Sequence, residues 1–209
     1  MEFKRALQAG ASEERLARLM QARAIPGADR TAIDQRIWDL FGERWAVMFT
    51  DLSGFSRNVA EFGIVHWLQV LYSAEQLLLP IIELHDGILL KVEGDSYLVI
   101  FRNPAKAVTA SVHMQRRLLS YNHERAAEEK VLLCVGLGFG DVLRIGDADV
   151  FGAQVNAASK LGEDTAGPTE ILITDAMREV ALGVDGVTVA TPISAVPPGA
   201  KSAFKLEYT

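Results

Sequence analysis

The chain has 209 residues, of which 49% are apolar and 23% are charged, and its formal net charge at pH 7 is −6. This composition fits one globular domain and excludes a largely disordered chain, while the lack of a basic excess argues against a nucleic-acid-binding protein. The single cysteine, Cys134, excludes an internal disulfide framework and favours a reducing compartment.

The N-terminal stretch MEFKRALQAGASEERL lacks the apolar run of a signal peptide, and polar residues interrupt every long apolar stretch. We therefore expect no membrane segment in this chain and a soluble, cytoplasmic protein. A larger parent protein with a membrane part is compatible with these observations.

The first half of the chain predicts three helical stretches and one strand. Apolar residues at helical spacing predict helices over 12–24 and 30–41, and a short apolar run predicts a buried strand over 45–49. A long amphipathic pattern then predicts a helix over 57–79, with a possible break at Gly63.

The middle of the chain predicts a β-hairpin, a helix and a glycine-rich β segment. In LLKVEGDSYLVIF (89–101), two apolar runs flank a Glu-Gly-Asp turn, which is typical of a hairpin. Asn-Pro then begins a helix that we expect over 104–121. Residues 130–145 predict either two strands or one long bent strand.

The last third predicts alternating short elements. We expect a helix over 153–161, a strand over 170–174 and a short helix from Asp175, followed by strands at 187–190 and 203–208. The complete order predicts an α+β fold in which helices pack on a mainly antiparallel sheet. Its centre is a ferredoxin-like β-α-β-β-α-β core, extended by extra C-terminal strands.

Two carboxylates follow predicted strands. In FTDLSGFS (49–56), Asp51 ends a strand and precedes a turn whose backbone amides suit an anion. Asp95 lies in the hairpin turn, and it reaches the same sheet edge if the first strand pairs beside the hairpin. Two carboxylates beside a phosphate-binding turn suit Mg²⁺ and two-metal phosphoryl or nucleotidyl transfer. As an alternative, each aspartate on its own is an ordinary cap or turn residue.

A third stretch, DVFGAQVNAASKLGEDTA (149–166), carries Asp149, Asn156 and Lys160. Asn156 and Lys160 are four residues apart, which places them on one face of a helix. Structural alternatives are a cap for Asp149 and a solvated surface charge for Lys160.

The three stretches together resemble the catalytic domain of the class III nucleotide cyclases, over about residues 44–209. The family signatures Phe-x-Asp-hydrophobic-x-Gly-Phe and Lys-x-x-Gly-Asp are present as FTDLSGF and KVEGDSYLVIF. The third signature is present as DVFGAQVNAASKL, with Lys160 where the family has arginine. In the preceding segment GLGFGDVLRIG, Gly138 replaces a frequent family histidine.

The resemblance implies a metal- and phosphate-binding half-site. Asp51 and Asp95 are expected to hold two divalent cations, Mg²⁺ or Mn²⁺. The Leu52 carbonyl and the turn amides of Ser53, Gly54 and Phe55 are expected to help bind the metal ions and the phosphates.

The resemblance also implies a base- and ribose-binding half-site. Lys91 and Asp149 are expected to read the base, Asn156 to orient the ribose, and Lys160 to stabilise the transition state. Lys201 is a phosphate-binding candidate by location only. Because a family site lies between two catalytic domains packed head to tail, and this chain carries both halves, a homodimer with two composite sites is expected.

ATP is the expected substrate, and adenylate cyclase the expected activity. Lysine only donates and ionised aspartate only accepts hydrogen bonds, which matches the adenine edge and mismatches the guanine edge. A degenerate cyclase-like module that binds nucleotide or dimerises without turnover is the main alternative, and a guanylate cyclase ranks third. We expect residues 1–43 to form an N-terminal helical extension and 44–209 the catalytic domain.

Overall fold

The computed structural model describes residues 2–147 and 149–208, with side chains apart from those of 2–11 and 189–191. In this range there are seven α-helices, one 3₁₀ turn at Ala127–Glu129 and one π-helical segment at Lys160–Thr165. The α-helices are α1 (Glu2–Ala24), α2 (Arg30–Phe41), α3 (Phe55–Phe62), α4 (Ile64–Leu84), α5 (Pro104–Asn122), α6 (Ala153–Ser159) and α7 (Asp175–Leu182).

The strands form one eight-stranded sheet. They are β1 (Gly42–Leu52), β2 (Ile88–Glu93), β3 (Ser96–Phe101), β4 (Leu133–Ile145), β5 (Asp149–Phe151), β6 (Ile171–Thr174), β7 (Val187–Ile193) and β8 (Ala203–Tyr208). Their order is β2-β3-β1-β4-β6-β8-β7, and β5 pairs with β4. Only the β4–β6 pairing is parallel among these strands. The expected α+β fold with a β-α-β-β-α-β core is confirmed.

Successive side chains of each strand point to opposite faces of the sheet, and both faces are buried. On β1, Ala46 and Met48 pack into the larger core under α4, α5 and α7. Trp45 and Val47 point to the opposite face, where Val155 of α6 covers them. Since residues two apart share a face, this alternation places Asp51 on the α6 side of the sheet.

Several element boundaries differ from the sequence expectations. Helix α1 begins at Glu2 and not near residue 12. Of the two alternatives for the glycine-rich segment, one long strand is confirmed, as β4. Strand β5 was not anticipated, because three residues are too few to show a periodic pattern. The helix expected over 153–161 ends as an α-helix at Ser159. The break at Gly63 is confirmed, since its φ of 85° separates α3 from α4.

The N-terminal helices pack against the end of β4. Ile37 and Phe41 of α2 form a small buried cluster with Ile145. An ion pair between Arg23 and Asp34, at 2.5 Å, joins α1 to α2. The division at residue 43 stays a prediction, because β1 already begins at Gly42. None of the helices in residues 2–147 and 149–208 has the length and apolar character needed to cross a bilayer.

Candidate active site

Asp51 and Asp95 lie at the same edge of the sheet. Strand β1 pairs antiparallel with β3, and Thr50 is opposite Tyr97 in this register. Asp51 therefore lies beside Ser96, whose hydroxyl donates a hydrogen bond to Asp51 Oδ1 at 3.3 Å. Asp95 lies in the hairpin turn directly before Ser96. The strand pairing therefore brings together two carboxylates that are 44 positions apart in the sequence.

The environment of Asp51 disfavours its negative charge. Burial raises the pKa of Asp51 to about 6, and the nearby charge of Asp95 adds to this effect. Hydrogen bonds from Ser96 and from the Leu52 backbone act in the opposite direction. Burial also raises the pKa of Asp95. A cation bound at this edge would offset both the burial of the carboxylates and the repulsion between them.

The turn after Asp51 is held in place from two sides. Gly54 has a φ of 103°, a left-handed conformation that suits glycine, and the Phe55 ring packs edge-on against Trp67 at 5.5 Å. The Ser53 amide, expected to help bind phosphate, donates instead to the Leu132 carbonyl at 2.8 Å. In the first turn of α3, which begins at Phe55, the backbone amides have no acceptor within the helix.

These groups line an open cleft of about 490 Å³, here called the carboxylate cleft. Its lining includes Asp51, Leu52, Ser53, Gly54, Phe55, Arg57, Asp95 and Glu163. Within the described part of the chain, no group of three or more His, Cys, Asp or Glu side chains could hold a metal by itself. A pair of carboxylates fits Mg²⁺, which usually binds one or two carboxylates together with substrate phosphates and water.

Lys91 and Asp149 meet in a second cavity of about 140 Å³, here called the ion-pair cleft. Lys91 Nζ lies 2.6 Å from Asp149 Oδ2, and the Val150 amide donates to Asp149 Oδ1 at 3.0 Å. Asp149 opens β5, where it is opposite Ile145 of β4. The hydrogen bond to Asp149 raises the pKa of Lys91. The cleft therefore offers a donor beside an acceptor, as an amino-purine edge requires.

Asn156, Lys160 and Lys201 line neither cleft of their own chain. Asn156 is exposed on α6. Lys160 begins the π-helical segment, and its ammonium donates to Asp164 Oδ2 at 2.5 Å. Lys201 is exposed, and its backbone amide donates to Asp175 Oδ1 at 2.9 Å. One chain thus assembles the carboxylate pair and the Lys91–Asp149 pair, and leaves these three side chains outside both.

Two glycines allow the segment after α6 to lie directly on the sheet. A Cβ on Gly136 would lie 2.2 Å from the Ala158 carbonyl oxygen, and one on Gly162 would lie 2.6 Å from the Phe49 carbonyl oxygen. Backbone contact at these positions fixes the π-helical segment against β1 and β4. π-Helical turns within helices are frequent at functional sites.

Two charged residues of the clefts escaped the sequence reasoning. Glu163 lines both clefts, and its charge raises the pKa of Asp51 and of Asp95. Arg57 lines the carboxylate cleft. For Arg57 a signal existed, because it lies in the first turn of a helix that follows the turn expected to bind phosphate. For Glu163 no local signal existed, because its position depends on the π-helical geometry.

A family comparison decides what kind of domain carries this arrangement. The sequence model of the family described as "Adenylate and Guanylate cyclase catalytic domain" matches residues 42–189. The chain belongs to this family. The resemblance found in the three sequence motifs is thereby confirmed.

Two relatives match this chain over a small part of their own length. A Rhizobium meliloti (strain 1021) protein named "Putative adenylate cyclase 3" is 28% identical over 138 residues, covering 66% of this chain and 23% of that protein. A Myxococcus xanthus protein named "Serine/threonine-protein kinase pkn2" is 30% identical over 132 residues, covering 63% of this chain and 16% of that protein. The chain therefore spans a quarter or less of the length of these relatives.

Solved cyclase structures share the fold. The adenylyl cyclase CyaB from P. aeruginosa superposes with a TM-score of 0.64 at 20% identity, covering 80% of this chain and 95% of that chain. The guanylyl cyclase Cya2 superposes with a TM-score of 0.63 at 20% identity, covering 79% and 92%. The same fold thus occurs in cyclases named for either purine.

Proposed function

We propose that this cyclase domain is an adenylate cyclase that converts ATP into 3′,5′-cyclic AMP and pyrophosphate. The observation that carries the proposal is the contact between Lys91 and Asp149, which places a hydrogen-bond donor beside an acceptor in the ion-pair cleft. The names of the Rhizobium meliloti relative and of CyaB agree with this choice.

The choice of ATP over GTP follows from hydrogen-bond direction. Adenine offers an acceptor at N1 and donor hydrogens at N6, and Lys91 and Asp149 supply the complementary donor and acceptor. Guanine has donor and acceptor transposed at these positions, so its binding would leave polar groups unpaired. Loss of pairing in an enclosed pocket is costly, which favours discrimination between the two bases.

Asp51 and Asp95, with the Leu52 carbonyl, are the residues that would hold two Mg²⁺ or Mn²⁺ ions. Bound ions would lower the pKa of the ribose 3′-hydroxyl and neutralise charge on the phosphates. The first turn of α3 presents backbone amides to the phosphates. The 3′-oxygen attacks the α-phosphorus in line, the bond to the bridging oxygen breaks, and pyrophosphate leaves while the hydroxyl proton passes to solvent.

A homodimer with composite sites accounts for the residues outside the two clefts. Asn156 and Lys160 are exposed and line neither cleft of their own chain. In a head-to-tail dimer they would face the carboxylate cleft of the partner, together with the Lys91–Asp149 pair. Asn156 would then orient the ribose, and Lys160 would supply positive charge in the transition state.

Residues 44–209 form the catalytic unit in this proposal, and residues 1–43 form a helical extension that supports it. Ile37 and Phe41 pack against Ile145, which is opposite Asp149 in the β4–β5 pairing. The extension thereby supports the hairpin that carries one of the two base-reading residues.

A cyclisation assay tests the proposal. Purified protein is incubated with ATP or GTP and with Mg²⁺ or Mn²⁺, and the cyclic product is separated by chromatography. We expect cyclic AMP from the native chain, no product from Asp51→Asn, and unchanged activity from Asp185→Asn, an exposed control. Nucleotide binding without product would instead identify the degenerate module, and preferential cyclic GMP formation a guanylate cyclase.

A further inference from the structure

We propose that Arg57 is a further substrate-binding residue, whose guanidinium binds the terminal phosphates of the nucleotide held at Asp51 and Asp95 of the same chain. This inference rests on the proposed function and deepens it, because it assigns the phosphate end of the substrate to a side chain that the sequence motifs do not include.

The position of Arg57 supports this role. It is exposed, occupies the first turn of α3 and lines the carboxylate cleft with Asp51 and Asp95. One terminal nitrogen of its guanidinium lies 3.8 Å from the point that a Cβ on Gly54 would occupy. Side chains in a helix lean toward its N-terminus, so Arg57 lies over the turn whose amides face the cleft.

The charges in the cleft leave Arg57 available for an anion. It is the only cationic side chain among the described residues that line the cleft, whereas three carboxylates, those of Asp51, Asp95 and Glu163, also line it. In the described part of the chain, its guanidinium forms no hydrogen bond or ion pair with another side chain. Once cations neutralise the carboxylates, the free guanidinium and the adjacent amides form a site for phosphate oxygens.

The other candidate cations are less suited to this task. Lys160 Nζ is hydrogen-bonded to Asp164, and Lys201 lies outside the cleft. Both are also lysines, which present a point charge, whereas the planar guanidinium of Arg57 can contact two phosphate oxygens at once. The structure thus provides an arginine for the phosphates on the chain that carries the carboxylate pair.

Calorimetry with pyrophosphate as the probe tests this role directly. In the presence of Mn²⁺, we expect Arg57→Gln to weaken pyrophosphate binding about tenfold and to raise the KM for ATP by a similar factor, with Arg57→Lys intermediate. Mn²⁺ binding without pyrophosphate should be unchanged or tighter, because a positive charge has been removed. Arg117→Gln, an exposed arginine on α5, should change none of these values.

The outcomes separate this inference from the proposed function. Native pyrophosphate affinity in a folded Arg57→Gln protein would overturn the role of Arg57, even if the chain makes cyclic AMP. An absence of pyrophosphate binding by the native chain would also overturn it. Arginine-dependent pyrophosphate binding without any cyclic product would support the inference and refute the proposed function. Thermal melting of each variant verifies that it is folded.

Discussion

Lys91 Nζ and Asp149 Oδ2 lie 2.6 Å apart, although the two residues are 58 positions apart in the sequence. Lys91 lies on β2 of the β2–β3 hairpin and Asp149 on β5, which pairs with β4, so strand pairing sets the geometry of this contact. Both side chains are about one-third exposed, at 36% and 30%. Half-solvated ion pairs contribute only about 0–1 kcal/mol, so an incoming base edge can replace this contact at little cost.

Reversing this pair should shift the base preference. The double variant Lys91→Glu with Asp149→Lys keeps an ion pair but transposes donor and acceptor, which matches guanine and mismatches adenine. We expect the ratio of kcat/KM for ATP to kcat/KM for GTP to fall by about tenfold or more, since one reversed hydrogen-bond pair is worth at least about 1.4 kcal/mol. Steady-state assays with each nucleotide measure the ratio.

Glu93 also lines the ion-pair cleft, so Glu93→Gln shows the effect of removing a charge there without transposing donor and acceptor. Glu93 Oε1 lies 4.0 Å from Lys91 Nζ, but its side chain is 76% exposed, so its loss should change the ratio by less than about twofold. A reversed pair that keeps the native preference for ATP, in a protein that still turns over, would contradict the assignment of Lys91 and Asp149.

Metal binding should weaken as the pH falls through about 6. The pKa of Asp51 is raised to about 6 in the metal-free protein, so protons compete with the cation below that pH. We expect the apparent affinity for Mn²⁺ to fall by up to about tenfold per pH unit below 6, because the cation must displace one proton from Asp51. Calorimetric titration between pH 5 and 7.5 measures this dependence.

The stability of the metal-free protein should also depend on pH, in the direction set by the raised pKa of Asp51. A carboxyl whose folded pKa lies above its unfolded value favours folding when protonated, so its cost appears as the pH rises from about 4 to above 6. Asp51→Asn removes that cost and should stabilise the metal-free protein at pH 7.5 by about 1–2 kcal/mol, less than full burial would give because the site is partly solvated. If the native chain and the Asp51→Asn variant were equally stable at pH 7.5, as well as at pH 5, this account would be contradicted.

The fold could be predicted from the sequence because each main element carries a local signal. The alternating runs around Glu-Gly-Asp identified the hairpin, and Gly63 identified the break between α3 and α4. The edge shared by Asp51 and Asp95 also followed, because antiparallel pairing of β1 with β3 requires it. Hydrophobic period and turn chemistry were sufficient for these features.

Other features depend on tertiary contacts and could not be predicted. The Ser53 amide donates a hydrogen bond to the Leu132 carbonyl, a contact across 79 positions in the sequence that no motif indicates. The π-helical segment depends on backbone contact at Gly136 and Gly162, and it decides where Lys160 and Glu163 point. Local sequence patterns carry no information about such close approaches.

Replacing Lys160 by arginine should raise the rate. Lysine provides a single point charge, whereas arginine can bind two phosphate oxygens in the transition state. We expect Lys160→Arg to increase kcat with Mg²⁺ severalfold, with a smaller gain with Mn²⁺. Asp164→Ala, which removes the exposed partner of Lys160, should change kcat by less than about twofold. No gain from Lys160→Arg would contradict the prediction that lysine at this position slows turnover.

A single methyl group at Gly136 should disturb the segment that carries Lys160. The added Cβ would lie 2.2 Å from the Ala158 carbonyl oxygen and 2.3 Å from the Gly162 nitrogen. Overpacking of this kind costs about 1–3 kcal/mol, so Gly136→Ala should lower both the denaturation midpoint and kcat. Gly183→Ala is the control, because its Cβ would lie 3.5 Å from the nearest atom and its φ is −86°. Equal effects of the two changes would contradict this account of the packing.

Complementation between two inactive variants tests the composite site most directly. Asp51→Ala removes a metal ligand and Asn156→Ala removes the ribose contact, and each homodimer should be inactive because both of its sites carry a lesion. In an equal mixture about half of the dimers are heterodimers with one intact site, so cyclic AMP formation should recover to about a quarter of the native rate. No recovery, with heterodimers shown by differential tagging, would contradict a site shared between two chains.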